Sequence, residues 1–125
     1  MAKQSLKSVL NKKSAYKIGG TLWIEYQGEG FLGPGRVELL QQIEKTGSIN
    51  KAAAAMRMSY KKAWEMINAL NTQAAKPLVI TQAGGEKGGG SIITEEAKAL
   101  ISYHIELRKR FLAFLEKETK NLSAS

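Results

Sequence analysis

The chain has 125 residues, a net charge of +8, a pI near 9.8 and an apolar fraction of 43%. That suits one domain with a real core and excludes disordered or fibrous composition; no apolar run nears the roughly 20 residues of a membrane helix. Cysteine is absent, which excludes disulfides, thiolate metal sites and cysteine nucleophiles and fits a reducing cytoplasm. Residues 1–17 hold no apolar stretch long enough for a signal peptide, so a cytoplasmic protein is expected.

The positive charge is unevenly spread. Lys3, Lys7, Lys12, Lys13 and Lys17 face no acid in the first twenty residues, and Lys51, Arg57, Lys61, Lys62 and Lys76 face only Glu65 over 48–76. Such a balance suits a polyanionic partner, against the plainer reading of a solvated surface.

In chain order, residues 1–16 read as a flexible basic arm, with one helical turn around Leu6, Val9 and Leu10. A folded unit is expected over 17–93. Its first element is a hairpin at 21–32: Thr21 to Tyr26 is β-branched and aromatic, Gln27 to Gly30 turns, and Phe31-Leu32 pairs back. Gly33-Pro34-Gly35 then breaks the chain, and Pro34 suits a helix start. A helix is predicted over about 35–45, burying Leu39, Leu40 and Ile43, with Gly47 as its left-handed stop. Ser48 caps a second helix, 48–56, whose stripe is Ile49, Ala52, Ala53 and Met56. After a turn at Arg57-Met58, Ser59 caps a third, 59–71, with Ala63, Ile67 and Leu70 inward. Two short strands around the glycine-rich 84–90 loop form a wing over 78–93. Thr94 caps a last helix, about 94–120, with Glu95 and Glu96 at the positive end of its dipole.

Three helices with a short turn and a following hairpin predict a mainly α fold with small β: a winged helix-turn-helix carrying an N-terminal hairpin and a long C-terminal helix. In that arrangement the third helix enters the major groove of duplex DNA and its first residues reach bases and phosphates. Lys61 and Lys62 oppose the dipole at that helix start, an anomaly that a bound phosphate relieves; the alternative is a merely basic exposed turn. The candidate DNA contacts are Ser48, Lys51, Arg57, Ser59, Tyr60, Lys61, Lys62, Glu65 and, in the wing, Lys87. The wing loop lacks the Gly-Lys-Ser/Thr order of a nucleotide-binding loop.

These residues carry a resemblance. Gly47-Ser48-Ile49, Met58 to Glu65 (Met-Ser-Tyr-Lys-Lys-Ala-Trp-Glu), Ile67-Asn68, Leu70-Asn71 and Gly84 to Gly90 make residues 33–110 resemble the N-terminal DNA-binding domain of the ModE family of molybdate-responsive regulators. A wider similarity to LysR-type winged helices covers Ala52-Ala53, Ser59, Ile67, Leu70 and Ile93-Thr94. The strand before Gly33-Pro34-Gly35-Arg36 looks like a short, stand-alone branch of the ModE group. The resemblance implies DNA binding and transcriptional control. It does not extend to the molybdate-binding domain of full-length members, so no cofactor is expected, and an unidentified small-molecule effector stays open.

Individual residues leave choices open. Trp64 reads as core packing, the favoured reading, or as a DNA contact, and Tyr60 leaves the same choice open, since a phenol packs on sugar and donates to phosphate. Glu65 accepts from a cytosine amino group or, the favoured reading, pairs with Lys61 or Lys62. His104 has no second histidine or cysteine for a metal and reads as a packed or interfacial residue. The apolar stripe of the last helix has three-four spacing, which predicts a homodimer through Leu100, His104, Leu107, Phe111 and Leu115, flanked by Arg108, Lys109 and Arg110. No triad, carboxylate pair or metal cluster indicates an enzyme. An RNA-binding module, hinted at by Trp23 and Tyr26, a protein-interaction domain and nonspecific nucleic-acid binding are the alternatives.

Overall fold

A computed structural model describes residues 6–82 and 90–124. The start of the basic arm and most of the glycine-rich loop, with the expected wing contact Lys87, lie outside them. The elements are α1 (Leu6–Val9), a single 3-10 turn (Lys13–Ala15), β1 (Ile24–Tyr26), β2 (Glu29–Leu32), α2 (Pro34–Thr46), α3 (Ile49–Ala55), α4 (Tyr60–Gln73), β3 (Val79–Thr81), β4 (Ser91–Ile93) and α5 (Glu95–Ala124). They fall into two units, Trp23–Ile105 and the flanking residues Met1–Leu22 with Glu106–Ser125.

In the central unit, β1 and β2 form an antiparallel hairpin with an irregularity between Ile24 and Glu25. Gln27 (φ 51°) and Gly28 (φ 83°) make its turn, the doubly left-handed geometry that matches strand twist. Arg36 fastens this hairpin to the helices: its Nη1 donates to Gly30 O (3.1 Å), Phe31 O (2.8 Å) and Gln73 Oε1 (2.9 Å). Pro34 stands at the start of α2, where a missing N–H costs nothing. Gly47 ends α2 at φ 70°, its N–H on Ile43 O.

The core is built as the hydrophobic spacing predicts. Leu39, Leu40 and Ile43 of α2, Ala52 and Ala53 of α3, and Ala63, Ile67 and Leu70 of α4 are fully or nearly fully buried. The alanines of α3 bring its backbone close to both neighbours, which larger side chains would hold apart. Leu32, Leu78, Val79, Ile93, Ala97 and Ile101 complete the same cluster. The second sheet is the wing, β3 antiparallel to β4 with Val79 opposite Ile93 and Ile80 opposite Ile92. Val79 and Ile93 face inward; Ile80 and Ile92 face out.

Polar contacts at three residues, Asn71, Ser91 and Thr94, fix the wing. Asn71 Oδ1 accepts from the N–H groups of Leu78 (2.8 Å) and Val79 (3.1 Å), while its Nδ2 donates to Val79 O (3.0 Å). Ser91 N–H donates to Gly47 O at 2.9 Å. Thr94 Oγ1 accepts from Ala97 N–H (3.2 Å), capping α5, and donates to Pro77 O (2.9 Å).

In the flanking unit residues 18–20 lie against the second half of α5. Ile18 N–H donates to Thr119 Oγ1 (3.0 Å), and the same hydroxyl donates to Leu115 O (2.8 Å). A side chain at Gly20 would place its Cβ 3.2 Å from Phe111 Cζ, so the ring uses the space glycine leaves. Residues 18–20, which follow the arm predicted over 1–16, are thus held on the helix.

Candidate nucleic-acid interface

The helix-turn-helix is formed by α3, a tight turn and α4. Both helices start on serine caps: Ser48 Oγ accepts from Lys51 N–H (3.1 Å), and Ser59 Oγ accepts from Lys62 N–H (3.0 Å). Each cap satisfies an N–H that the helix cannot. The turn closes with Arg57 N–H on Ala54 O (3.1 Å) and Met58 N–H on Ala53 O (3.0 Å). This pair of bonds is a Schellman ending, which wants a left-handed residue just past the helix, usually glycine. Here that residue is Arg57, at φ 55°. A side chain in that conformation costs roughly 1 kcal/mol or more, so the turn holds a cation where glycine would be easier.

The first turn of α4 contains no acid. Tyr60, Lys61 and Lys62 are exposed there, as are Lys51, Arg57, Ser59 and Glu65; Ser48 is half-buried. The turn and the two helix starts therefore bring Lys51, Arg57, Lys61 and Lys62 onto one short stretch of chain around two capped helix N-termini. Positive side chains and unpaired N–H groups at a helix start together suit a phosphate.

The structure bears on two open choices. Trp64 is half-buried against the hydrophobic core, with its ring edge-on to Tyr60 at 6.2 Å and 86°. Tyr60 thus has the Trp64 ring as a neighbour and remains 49% exposed. Among the described residues the ion pairs all lie on α5, so the pairing favoured for Glu65 with Lys61 or Lys62 is not formed and its carboxylate projects from the exposed face. Sequence reasoning missed Asn71 and Arg36, which position α4 against the wing and hairpin; nothing in their spacing marks them as anything but surface residues.

On α5 the stripe expected to meet a partner is partly used within the chain. His104 is 2% exposed and Leu100 packs on the core. Leu107, Phe111 and Leu115 are half-buried, and Phe111 meets Gly20. The large apolar residues that α5 leaves exposed are Tyr103, Ile105, Leu112 and Phe114. Among the described residues no group of three or more acids or histidines could hold a metal, and no helix is long and apolar enough to cross a membrane.

Comparison with known proteins agrees with this geometry. The family described as "Bacterial regulatory helix-turn-helix protein, lysR family" matches residues 35–98. The chain is similar to the molybdenum transport protein ModE of Azotobacter vinelandii, 36% identical over 88 residues, covering 70% of this chain and 33% of that protein. It is 40% identical over 83 residues to the transcriptional regulator ModE of Haemophilus influenzae, 66% of this chain and 32% of that one. The molybdenum-pterin-binding protein MopB of Rhodobacter capsulatus is 36% identical over 92 residues, covering 74% and 34%. The chain thus spans about a third of the length of these relatives. Among solved structures, a LysR family transcriptional regulator superposes with a TM-score of 0.50 at 18% identity, over 66% of this chain and 27% of that chain, and shows the same winged-helix fold. The chain belongs to the bacterial regulatory helix-turn-helix proteins of the LysR family and carries a ModE-like DNA-binding domain.

Proposed function

We propose that this regulator binds duplex DNA as a homodimer, with α4 in the major groove and the glycine-rich 84–90 segment on the flanking backbone. The observation that carries the reading is the start of α4: two exposed lysines, a serine cap and no acid at the positive end of a helix dipole. In the free protein this arrangement is electrostatically unfavourable; against DNA phosphates it becomes favourable. Lys61 and Lys62, with Lys51, Arg57, Ser48 and Ser59, take the backbone, Tyr60 and Glu65 reach base edges, and Lys87 belongs to the wing contact.

The dimer contact is assigned to α5. Since His104 is enclosed by its own chain, a partner would meet the exposed Tyr103 and Phe114 and the half-buried Leu107 between them, spaced four and seven residues apart as a helical seam requires. Two copies would then read two half-sites one or more turns of DNA apart. An RNA module is less well supported, because Trp23 donates through Nε1 to Glu25 (2.8 Å) and the hairpin carries Glu25 and Glu29 without a cation.

The test is a gel-shift of the protein on a pool of its genomic fragments at two salt concentrations, with and without molybdate. A discrete set of fragments retained at the higher salt is expected. Retention of every fragment, erased by salt, would reduce the protein to a nonspecific DNA binder. A molybdate-dependent shift would reveal an oxyanion site within these 125 residues.

A further inference from the structure

The excess positive charge of this chain does not reside in the winged helix. Residues 23–105 carry nine lysines and arginines against eight glutamates. The described residues of the flanking unit, 6–22 and 106–124, carry nine against only three glutamates. Two of those glutamates are engaged by exposed lysines one helical turn away, Glu106 by Lys109 (3.3 Å) and Glu116 by Lys120 (3.4 Å).

The arrangement is more than a charged tail. The Ile18 N–H bond to Thr119 Oγ1 and the seat of Phe111 at Gly20 hold the segment carrying Lys17 on the half of α5 that carries Arg108 and Arg110. Lys12, Lys17, Arg108 and Arg110 are all exposed. Arg108, Lys109 and Arg110 are consecutive, so they spread around the helix instead of flanking one apolar face. A helix lying on a membrane surface needs the segregated pattern; a polyanion with charge repeated along its length does not.

We propose that the flanking unit is a second DNA-contacting surface, gripping the phosphate backbone without regard to sequence. The choice of duplex DNA as its polyanion rests on the reading of α4 given above. Each phosphate so neutralised releases condensed counterions, which adds affinity for operator and for unrelated DNA alike. Sequence discrimination remains the work of α4, and residues 6–22 and 106–124 add their attachment to that of the lysines around α4.

The test uses the full chain and the variant K12Q/K17Q/R108Q/R110Q, titrated on an operator duplex and on an unrelated duplex of equal length over a series of salt concentrations. The slope of log affinity against log salt is expected to become shallower by about 0.9 for each phosphate that is no longer neutralised, so by about 2 to 4 in all, with both duplexes weakened by the same factor. The charge-conserving variant K12R/K17R/R108K/R110K should keep the parent slope, which separates charge from fold. An unchanged slope in the glutamine variant, or weakening confined to the operator, overturns the proposal. So does loss of binding to phosphatidylserine vesicles with duplex binding intact. If the parent binds both duplexes equally and the glutamine variant loses that binding, this surface stands and the reading of α4 falls. If Glu65→Ala abolishes discrimination while the glutamine variant keeps its slope, the reverse holds. A parent that binds no duplex overturns both.

Discussion

Asn71 and Val79 are bonded to each other twice: the amide nitrogen of the side chain donates to the valine carbonyl at 3.0 Å, and the amide oxygen accepts from the valine N–H at 3.1 Å. Asparagine thus does for β3 what another strand would do, using one donor and one acceptor at strand spacing. It also locks the last turns of α4 to the first residue of the wing, with Leu78 N–H as a third bond. Replacing Asn71 with Ala leaves two N–H groups and a carbonyl without these partners. The expected loss is about 2–3 kcal/mol in urea unfolding; a loss below about 0.5 kcal/mol would mean that water replaces the amide at no cost.

Lys61 and Lys62 lie in the first turn of α4, where they cost stability in the free protein. Lys61→Ala should lower DNA affinity and reduce the salt slope by about 1 if it contacts phosphate only. The same change should leave urea stability equal or raise it by a few tenths of a kcal/mol, since a charge is removed from the unfavourable dipole end. A stability loss without a change in slope would make Lys61 a structural residue.

Arg57→Gly separates fold from function. Glycine adopts the left-handed turn freely, which should raise stability by up to about 1 kcal/mol, less the entropy of a freer unfolded chain. DNA affinity should fall several-fold in the same protein. Equal or tighter binding would show that the guanidinium has no part in the complex.

Phe114 is 57% exposed, whereas Phe111 is half-buried beside Gly20. Phe114→Asp should therefore give a monomer in sedimentation with thermal stability near the parent's, while Phe111→Asp should unfold at lower temperature whatever its association state. A Phe114→Asp variant that sediments as a dimer moves the contact elsewhere, with the exposed Ile80 and Ile92 pair as the next surface to substitute.

Most of the helical core could be read from the chain because its cause is local. Leu39, Leu40 and Ile43 recur at helical spacing, and Ser48 and Ser59 stand where a helix start needs an acceptor. The helix-turn-helix and its exposed lysines followed from these signals. The stripe on α5 was legible as apolar but not as to its neighbour: Phe111 and Leu115 have the spacing of a dimer seam, yet the backbone of residues 18–20 takes part of it, an approach set by Gly20 and Thr119 far apart in sequence. The preference for a Glu65 ion pair failed for a different reason. Helical spacing permits such a pair, but Lys61 and Lys62 precede Glu65, the less favourable order, whereas the exposed pairs that do form on α5 all place glutamate before lysine. Asn71 and Arg36 were silent because their partners are mostly backbone groups, which carry no sequence signal, and Gln73, the one side-chain partner of Arg36, lies 37 residues away.

Gly47 serves two elements with one residue: its N–H ends α2 on Ile43 O, and its carbonyl receives Ser91 N–H at 2.9 Å. The first bond is local and can form as soon as the helix does. The second joins residues separated by all of α3, α4 and β3, so it carries the loop-closure entropy of that whole segment. The order of assembly follows. On this ground the returning wing strand is expected to dock after the helix-turn-helix, onto a turn that is already shaped, and to open before it.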